Sequence, residues 1–400
     1  MKNSRIAVTG LGAFTPIGNG IEEFRRGLRE GRDGVGPIAG FDATDHRVHR
    51  AAEIRWSSSS DSPYSRATEL ALAVTQEAAA SAKFERRSYD PNRIGVILAS
   101  NQGGMYPTRP MYREMSHPHR QNGFSGHDET RVLDGAPSAT LDRIMETIGA
   151  SGPSLNISTA CSAGLHAIGI ARQMLRRHEV DIVLVAGVEV LTEAALAGFG
   201  VLRALTPGEG PRPFDRGRDG TILGEGAAAL MLERTDSAYY RSATVWAEIV
   251  GYGSSTDAYH ATRPDAAGSA KAMREALGAI NVSEIDWIKA HGTGTPANDL
   301  AEAEAIHKVF GAGASTVPVT SMKAMLGHSL GASGVVEAVG TILSMQDSII
   351  PPTLNVRDVD PACDLDVVLS EARAQRGGFV MANAFGFGGN NAVVILQNIN

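Results

Sequence analysis

The sequence predicts an α/β fold assembled from two related halves. Short apolar runs, many of them β-branched, alternate with helical patterns along the chain, which is how buried strands and their covering helices look in sequence. The 400 residues exceed one ordinary domain and fit two or three, or one large unit of duplicated halves. A strand followed by Gly-x-Gly and small or hydroxyl residues occurs at 5–15 and again at 245–256, and in each half a later strand precedes a Gly- and Ala-rich helix. One pair of such turns leaves coincidence open. The break would fall at 236–243, giving halves 1–243 and 244–400.

Strands are expected at 6–9, 94–99, 182–186, 227–232, 245–252, 287–290, 317–319 and 392–396. Helices are expected at 64–83, 139–148, 161–176, 269–279, 300–310 and 331–345, where apolar residues recur at three and four spacing. Between 102 and 135 lies a polar stretch rich in Pro, His, Arg and Gly. It reads as an excursion lining a surface, a partner contact or a binding site, because structureless loops of that length are uncommon inside compact domains.

Apolar residues make up 43% and charged residues 20%, so the chain is globular and not disordered. The 37 basic and 44 acidic residues leave a net charge of −7, which argues against nucleic-acid binding because phosphate neutralisation needs a basic face. Two cysteines, Cys161 and Cys363, exclude a cysteine framework or a four-cysteine zinc site and fit a reducing compartment. The first ten residues imitate a signal peptide, but Gly10, Gly12 and Pro16 interrupt the apolar stretch before it develops. The longest apolar run, 180–191, contains Asp181 and Glu189 and falls short of the roughly 20 residues a bilayer span takes. No membrane contact and a cytoplasmic location are the expectations.

Chemistry begins at Ser158-Thr-Ala-Cys161-Ser-Ala-Gly164. A thiol between a strand-like approach and a small-residue helix start would meet unpaired helix N–H groups, so its pKa is expected to fall and its reactivity to rise. A buried, inert cysteine is the alternative. His291-Gly-Thr-Gly-Thr-Pro296 follows a short strand, and His328 lies in Lys323-Ala-Met-Leu-Gly-His-Ser-Leu-Gly-Ala-Ser-Gly334, ahead of an Ala-rich helix carrying Glu337. Either histidine alone suits a structural role. Together, flanked by glycines and with Lys323 and Asp299 nearby, they point to a site. Asn383-Ala-Phe-Gly-Phe-Gly-Gly-Asn-Asn391 is expected to form a loop whose freed N–H groups face an oxyanion, with a tight hairpin as the alternative. Neither a dinucleotide fingerprint nor a phosphate loop is present, since Gly10, Gly12 and Gly18 have the wrong spacing and no Gly-Lys-Ser/Thr ending exists.

These segments, with Arg212-Pro-Phe-Asp-Arg-Gly-Arg-Asp-Gly220, Gly224-Glu-Gly226 and Asp257-Ala-Tyr-His260, resemble the β-ketoacyl-[acyl carrier protein] synthases, in particular the type II elongating enzymes and related polyketide ketosynthases. The resemblance runs from the first strand to the last. It implies the thiolase fold, two βαβαβαββ halves stacked in five layers as α, β, α, β, α. It also implies an acyltransferase that condenses an acyl-cysteine with malonyl-[acyl carrier protein]. Cys161 would be the nucleophile, His291 and His328 would bind the malonyl thioester and support decarboxylation, and Lys323 and Glu337 would orient them. The N–H groups of Cys161 and Phe387 would form the oxyanion hole. Gln102, Phe199, Phe387, Thr293 and Thr295 would bind substrate, with Phe199 and Phe387 as an aromatic gate. Arg66 and Arg203 would dock an acidic acyl carrier protein. No cofactor or metal ion is implied, because phosphopantetheine arrives on the carrier; a monovalent cation near Asn383 is left open. The partner within a dimer would be a second copy or a chain-length factor.

Residues also separate close relatives. Thiolases need a second catalytic cysteine in a late Cys-x-Gly loop, and Cys363 in Asp360-Pro-Ala-Cys-Asp364 lacks that context. Initiating synthases use a histidine and an asparagine, and chain-length factors usually lack the nucleophile. Gln102 departs from the resemblance, standing where fatty-acid enzymes commonly have an apolar residue at the acyl-pocket floor, and so does the stretch 105–137. An amide beside a methylene chain is unfavourable unless hydrogen-bonded. A specialised polyketide or polyene ketosynthase is therefore expected, with housekeeping fatty-acid elongation or a non-catalytic chain-length factor as alternatives. His117, His119 and His127 read as surface histidines, since their spacing is irregular.

Overall fold

Alternate residues of the central strands face different cores, which is what nearly continuous apolar runs require. In the computed structural model, which describes residues 5–56, 64–103, 135–375 and 377–399, Val96 and Leu98 join one apolar cluster while Ile97 and Ala99 join another. The first half runs β1 (Ile6–Thr15), α1 (Arg66–Ser81), β2 (Ile94–Ala99), α2 (Pro137–Ile148), β3 (Ser154–Ile157), α3 (Ala163–Arg176), β4 (Ile182–Glu189) and β5 (Gly226–Arg234). The second repeats that order with β6 (Ala247–Thr256), α4 (Ala266–Leu277), β7 (Ile285–Lys289), α5 (Pro296–Phe310), β8 (Pro318–Thr320), α6 (Ser333–Gln346), β9 (Phe379–Gly386) and β10 (Asn390–Gln397).

Hydrogen bonds order the strands β3-β2-β4-β5-β1 in the first half and β8-β7-β9-β10-β6 in the second, with a short antiparallel contact between β1 and β6 joining them. The sense of every pair repeats. β2 is parallel to β3 and β4 as β7 is to β8 and β9, while β4–β5 and β5–β1 are antiparallel as are β9–β10 and β10–β6. Order and sense repeated throughout establish the duplication that the paired Gly-x-Gly segments left open, although these glycines form no turns and lie inside β1 and β6.

Helices α1 and α2 cover one face of the first sheet through Leu70, Val74 and Ile144, and α4 and α5 cover one face of the second through Met273 and Ile306. Helices α3 and α6 lie between the sheets and share one core with Ile97, Val185 and Leu230 from the first and Val380 and Val394 from the second. This is the five-layer αβαβα arrangement. Residues 333–345 of α6 are all buried, including the carboxylate of Glu337 among mostly small and apolar neighbours.

The two central helices begin alike. Ala160 and Leu330 both adopt left-handed backbone (φ 51° and 44°) and each opens a short 3₁₀ turn, Ala160–Ser162 before α3 and Leu330–Ala332 before α6. A non-glycine residue there costs roughly 1–2 kcal/mol, so the surrounding packing must impose both elbows.

Several sequence expectations need correction. The segment 383–391 is not one loop: β9 continues to Gly386, a three-residue turn Phe387–Gly389 follows, and β10 begins at Asn390. Glycine content had masked the strand. β3, read in sequence only as a strand-like approach to Cys161, is a full strand at the exposed edge of the sheet. Helices Ile21–Glu30, Glu193–Val201 and Thr235–Tyr240 were also not foreseen; each is short, and each buries at most three residues. Most of the polar stretch from 102 to 135, with His117, His119 and His127, lies outside the described residues. Among the described residues, no helix is long and apolar enough to cross a membrane.

Candidate active site

Cys161 sits in the first elbow, held from three sides. Asn101, two residues beyond β2, donates from Nδ2 to the Ala160 carbonyl at 3.2 Å and accepts from the Ser158 hydroxyl at 3.0 Å. Buried Glu189, closing β4, accepts from the N–H groups of Asn101, Gln102 and Gly331 and from the Ser100 hydroxyl, which ties the end of β2 to the second elbow. Gly386 completes the support, because a Cβ there would lie 3.1 Å from the Cys161 nitrogen. The backbone N–H groups of Phe387 and of Cys161 itself both face the sulfur and favour its thiolate, so two backbone donors converge where an oxyanion would form.

His291 stands two residues beyond β7, as Asn101 does beyond β2. Two carboxylates from the start of α5 hold its turn: Glu302 accepts from the N–H groups of His291 and Gly292, both at 2.8 Å, and Asp299 accepts from Gly294 and Phe214. His328 precedes the second elbow, and its Nδ1 lies 2.9 Å from the Ser333 hydroxyl. The two imidazoles meet edge to face with centroids 5.5 Å apart. The cysteine sulfur and one nitrogen of each ring lie within 4.8 Å of one another. His328 Nε2 and His291 Nδ1 are buried and have no hydrogen-bond partner among the described residues. A sulfur and two imidazoles also suit a thiophilic divalent ion, which would occupy the same atoms.

Burial holds both histidines well below their usual pKa, reinforced by the Lys323 ammonium, so both rings are neutral at physiological pH. The expected depression of the Cys161 pKa is overturned. Burial pushes the thiol up to about 11, outweighing Lys323 and the two backbone donors. Desolvation wins because the side chain is 6% exposed. The resting group is therefore a thiol beside two neutral bases. Lys323 ion-pairs with Glu337, both buried, and a second buried ammonium, Lys289, reaches the other oxygen of the same carboxylate. Lys289 and Glu302 were not singled out from sequence, although a lysine inside the apolar strand 285–289 was a readable signal.

One cavity brings together Cys161, Phe199, His291, Thr293, Thr295, His328 and Phe387. Phe199 and Phe387 stack at 5.8 Å, and the Thr293 and Thr295 hydroxyls lie 2.9 Å apart. Gln102 is not on the cavity wall: its N–H is taken by Glu189, and its amide oxygen accepts from the Thr192 hydroxyl. Arg66 is likewise not a surface cation. Its guanidinium donates to Glu225 and to the Ile54 and Trp56 carbonyls, and the side chain is 18% exposed. Arg203 is exposed, next to Ala204 on the cavity wall. Cys363 is buried in the second-half core away from the cavity, and burial raises its thiol to about 11 as well.

The profile described as "Beta-ketoacyl synthase, N-terminal domain" matches residues 3–238, and that described as "Beta-ketoacyl synthase, C-terminal domain" matches residues 246–357. The chain belongs to the β-ketoacyl synthase family. The synthase is 37% identical to the 3-oxoacyl-[acyl-carrier-protein] synthase 2 of Coxiella burnetii over 422 residues, covering 100% of both chains. Identity to the enzyme of the same name from Staphylococcus aureus is 35%, covering 99% of both. Among solved structures, the ishigamide ketosynthase/chain length factor superposes with a TM-score of 0.93 at 33% identity, covering 100% of both chains. A type II polyketide ketosynthase determined in complex with its acyl-carrier protein superposes at 0.89 with 29% identity, again over 100% of both. The synthase is a condensing acyltransferase of acyl-chain elongation.

Proposed function

We propose that this synthase transfers an acyl group from a carrier protein to Cys161 and condenses it with malonyl-[acyl carrier protein]. The observation that carries this reading is the convergence of the Cys161 sulfur, two neutral imidazoles and the N–H groups of Cys161 and Phe387 in one cavity.

In the acylation step the sulfur attacks the acyl thioester carbonyl while its proton passes to a neutral imidazole beside it. The two N–H groups receive the oxyanion, and the carrier thiolate leaves with that proton. In the second step the histidines donate hydrogen bonds to the malonyl thioester carbonyl. Carbon dioxide departs, the electron pair it leaves forms an enolate, and the enolate carbon attacks the acyl-cysteine and expels the sulfur. Neutral imidazoles suit this step, since each can donate one N–H without drawing the substrate carboxylate into an ion pair that would oppose its loss. Lys323 and Glu337 would fix the surroundings of both rings, Thr293 and Thr295 would line the path of the pantetheine arm, and the phosphopantetheine itself would arrive on the carrier. Phe199 stacked on Phe387 would gate the acyl channel.

The acyl carrier partner and pairing with a second copy or a chain-length factor are supported by the solved ketosynthases that superpose over the whole chain. A specialised polyketide or polyene chain is favoured by the whole-chain superposition on the ishigamide ketosynthase/chain length factor and on a type II polyketide ketosynthase; Gln102, bonded to Thr192 off the cavity wall, lends it no support. Housekeeping fatty-acid elongation is the second reading, favoured by the full-length identity to 3-oxoacyl-[acyl-carrier-protein] synthase 2 enzymes. Extension assays with carrier-bound primers separate them. Preference for unsaturated or oxygenated primers is expected, and efficient extension of saturated medium and long chains would remove the specialised reading.

A further inference from the structure

The carboxylate of Glu337 and the backbone carbonyl of Asn383 face a single buried point, and that point is filled by the Lys289 ammonium. Lys289 is 0% exposed; its Nζ ion-pairs with Glu337 and donates to the Asn383 carbonyl at 2.6 Å. The Oδ1 of Asn383 is also buried, with no partner among the described residues, while its Nδ2 donates to Glu302 at 3.0 Å. These oxygens are the ligands a small monovalent cation would take, but with the ammonium in contact with two of them the residues present do not fit a separate ion.

The three elements that meet here each carry part of the active site. Lys289 ends β7, two residues before His291. Glu337 lies on α6, nine residues after His328. Asn383 lies on β9, four residues before Phe387. We propose that Lys289 is a tethered cation, a positioning residue that clamps these elements together and frees this synthase from any need for a monovalent ion. This inference rests on the condensing reaction proposed above for its kinetic readout, and its stability readout stands apart from that reaction.

The test compares wild type, Lys289→Ala and Lys289→Asn in potassium, ammonium and tetramethylammonium chloride at equal ionic strength, reading the melting temperature and the kcat and KM for malonyl carrier. Wild type is expected to melt and turn over equally in all three salts. In tetramethylammonium the variants are expected to lose about tenfold or more in kcat with little change in KM, because misplaced catalytic groups penalise the chemical step more than binding. Potassium or ammonium entering the vacated point should restore both kcat and melting temperature. Full variant activity in tetramethylammonium, a loss that small cations do not restore, or a wild type that needs potassium would each overturn the proposal. So would failure of both variants to fold in every salt, since Lys289 would then serve the fold alone. A wild type inactive in all salts counts against the condensing reaction, and the melting temperatures still decide the role of Lys289.

Discussion

Gly164 and Gly334 touch across the internal duplication. A Cβ on Gly164 would fall 2.5 Å from the Val335 nitrogen, and one on Gly334 would fall 2.5 Å from the Leu165 nitrogen. The first turns of α3 and α6 therefore approach at backbone contact, and this closeness brings the cysteine of one elbow to the histidine preceding the other. Each half contributes what the other lacks.

Gly334→Ala should push the two elbows apart. Overpacking of this kind typically costs about 1–3 kcal/mol, which the denaturant midpoint would record. Condensation should fall by about 100-fold, because displacements near 1 Å have that effect on aligned groups. Wild-type turnover in a folded Gly334→Ala protein would show that the close approach is dispensable.

The buried thiol predicts unusual alkylation behaviour. With the folded pKa about 11 and the ordinary value 9, the thiolate fraction keeps rising across the alkaline range. Iodoacetamide modification of Cys161 should therefore climb about tenfold per pH unit between pH 7 and 10. A plateau below pH 8 would mean that the helix terminus and Lys323 outweigh desolvation after all.

The neutral histidines predict how stability depends on pH. Their folded pKa values lie well below the ordinary 6.5, so beneath that pH the unfolded chain takes up protons that the folded chain refuses. Stability is thus full above pH 6.5 and is lost as pH falls, by about 1.4 kcal/mol per histidine per pH unit. Asp299, raised to about 6, works in the opposite direction, since its folded form protonates first. Comparing wild type with His291→Gln and His328→Gln from pH 7 to 5 isolates the histidines: each variant should flatten the decline, and unchanged slopes would contradict their buried neutrality.

The arginines should separate cleanly. Arg203→Glu is expected to raise the KM for carrier-bound substrate about tenfold while turnover of a small thioester mimic survives, since exposed interface charges act mainly on encounter. Arg66→Glu would place a second carboxylate against Glu225, so it should lower the melting temperature and both activities together. Identical behaviour of the two variants would contradict the distinction.

Much of this was legible in sequence. Strand 94–99 was read at its observed bounds because a continuous apolar run flanked by polar residues has one reading. Cys161, His291, His328, Lys323 and Glu337 stood out because glycines and small residues surround reactive side chains, and the fold brings all five together. What was hidden depends on three-dimensional accounting. Cys161 lies near a helix start, as foreseen, but the sign of its pKa shift follows from how completely α6 and β9 exclude water. Arg66 and Gln102 were placed by likeness of position, and their partners Glu225 and Thr192, 159 and 90 residues away, could not be read from a linear chain. Lys289, on an apolar strand, could have been read as buried, but its partners on α6 and β9, 48 and 94 residues away, could not.

The central claim is that Cys161 carries the acyl group. Intact-protein mass spectrometry after incubation with acyl-charged carrier protein tests it most directly, across saturated, unsaturated and oxygenated primers. The expected result is a gain equal to one acyl group on the wild type and no gain on Cys161→Ala. An unmodified wild type with every primer, or an adduct that persists in Cys161→Ala, would contradict it.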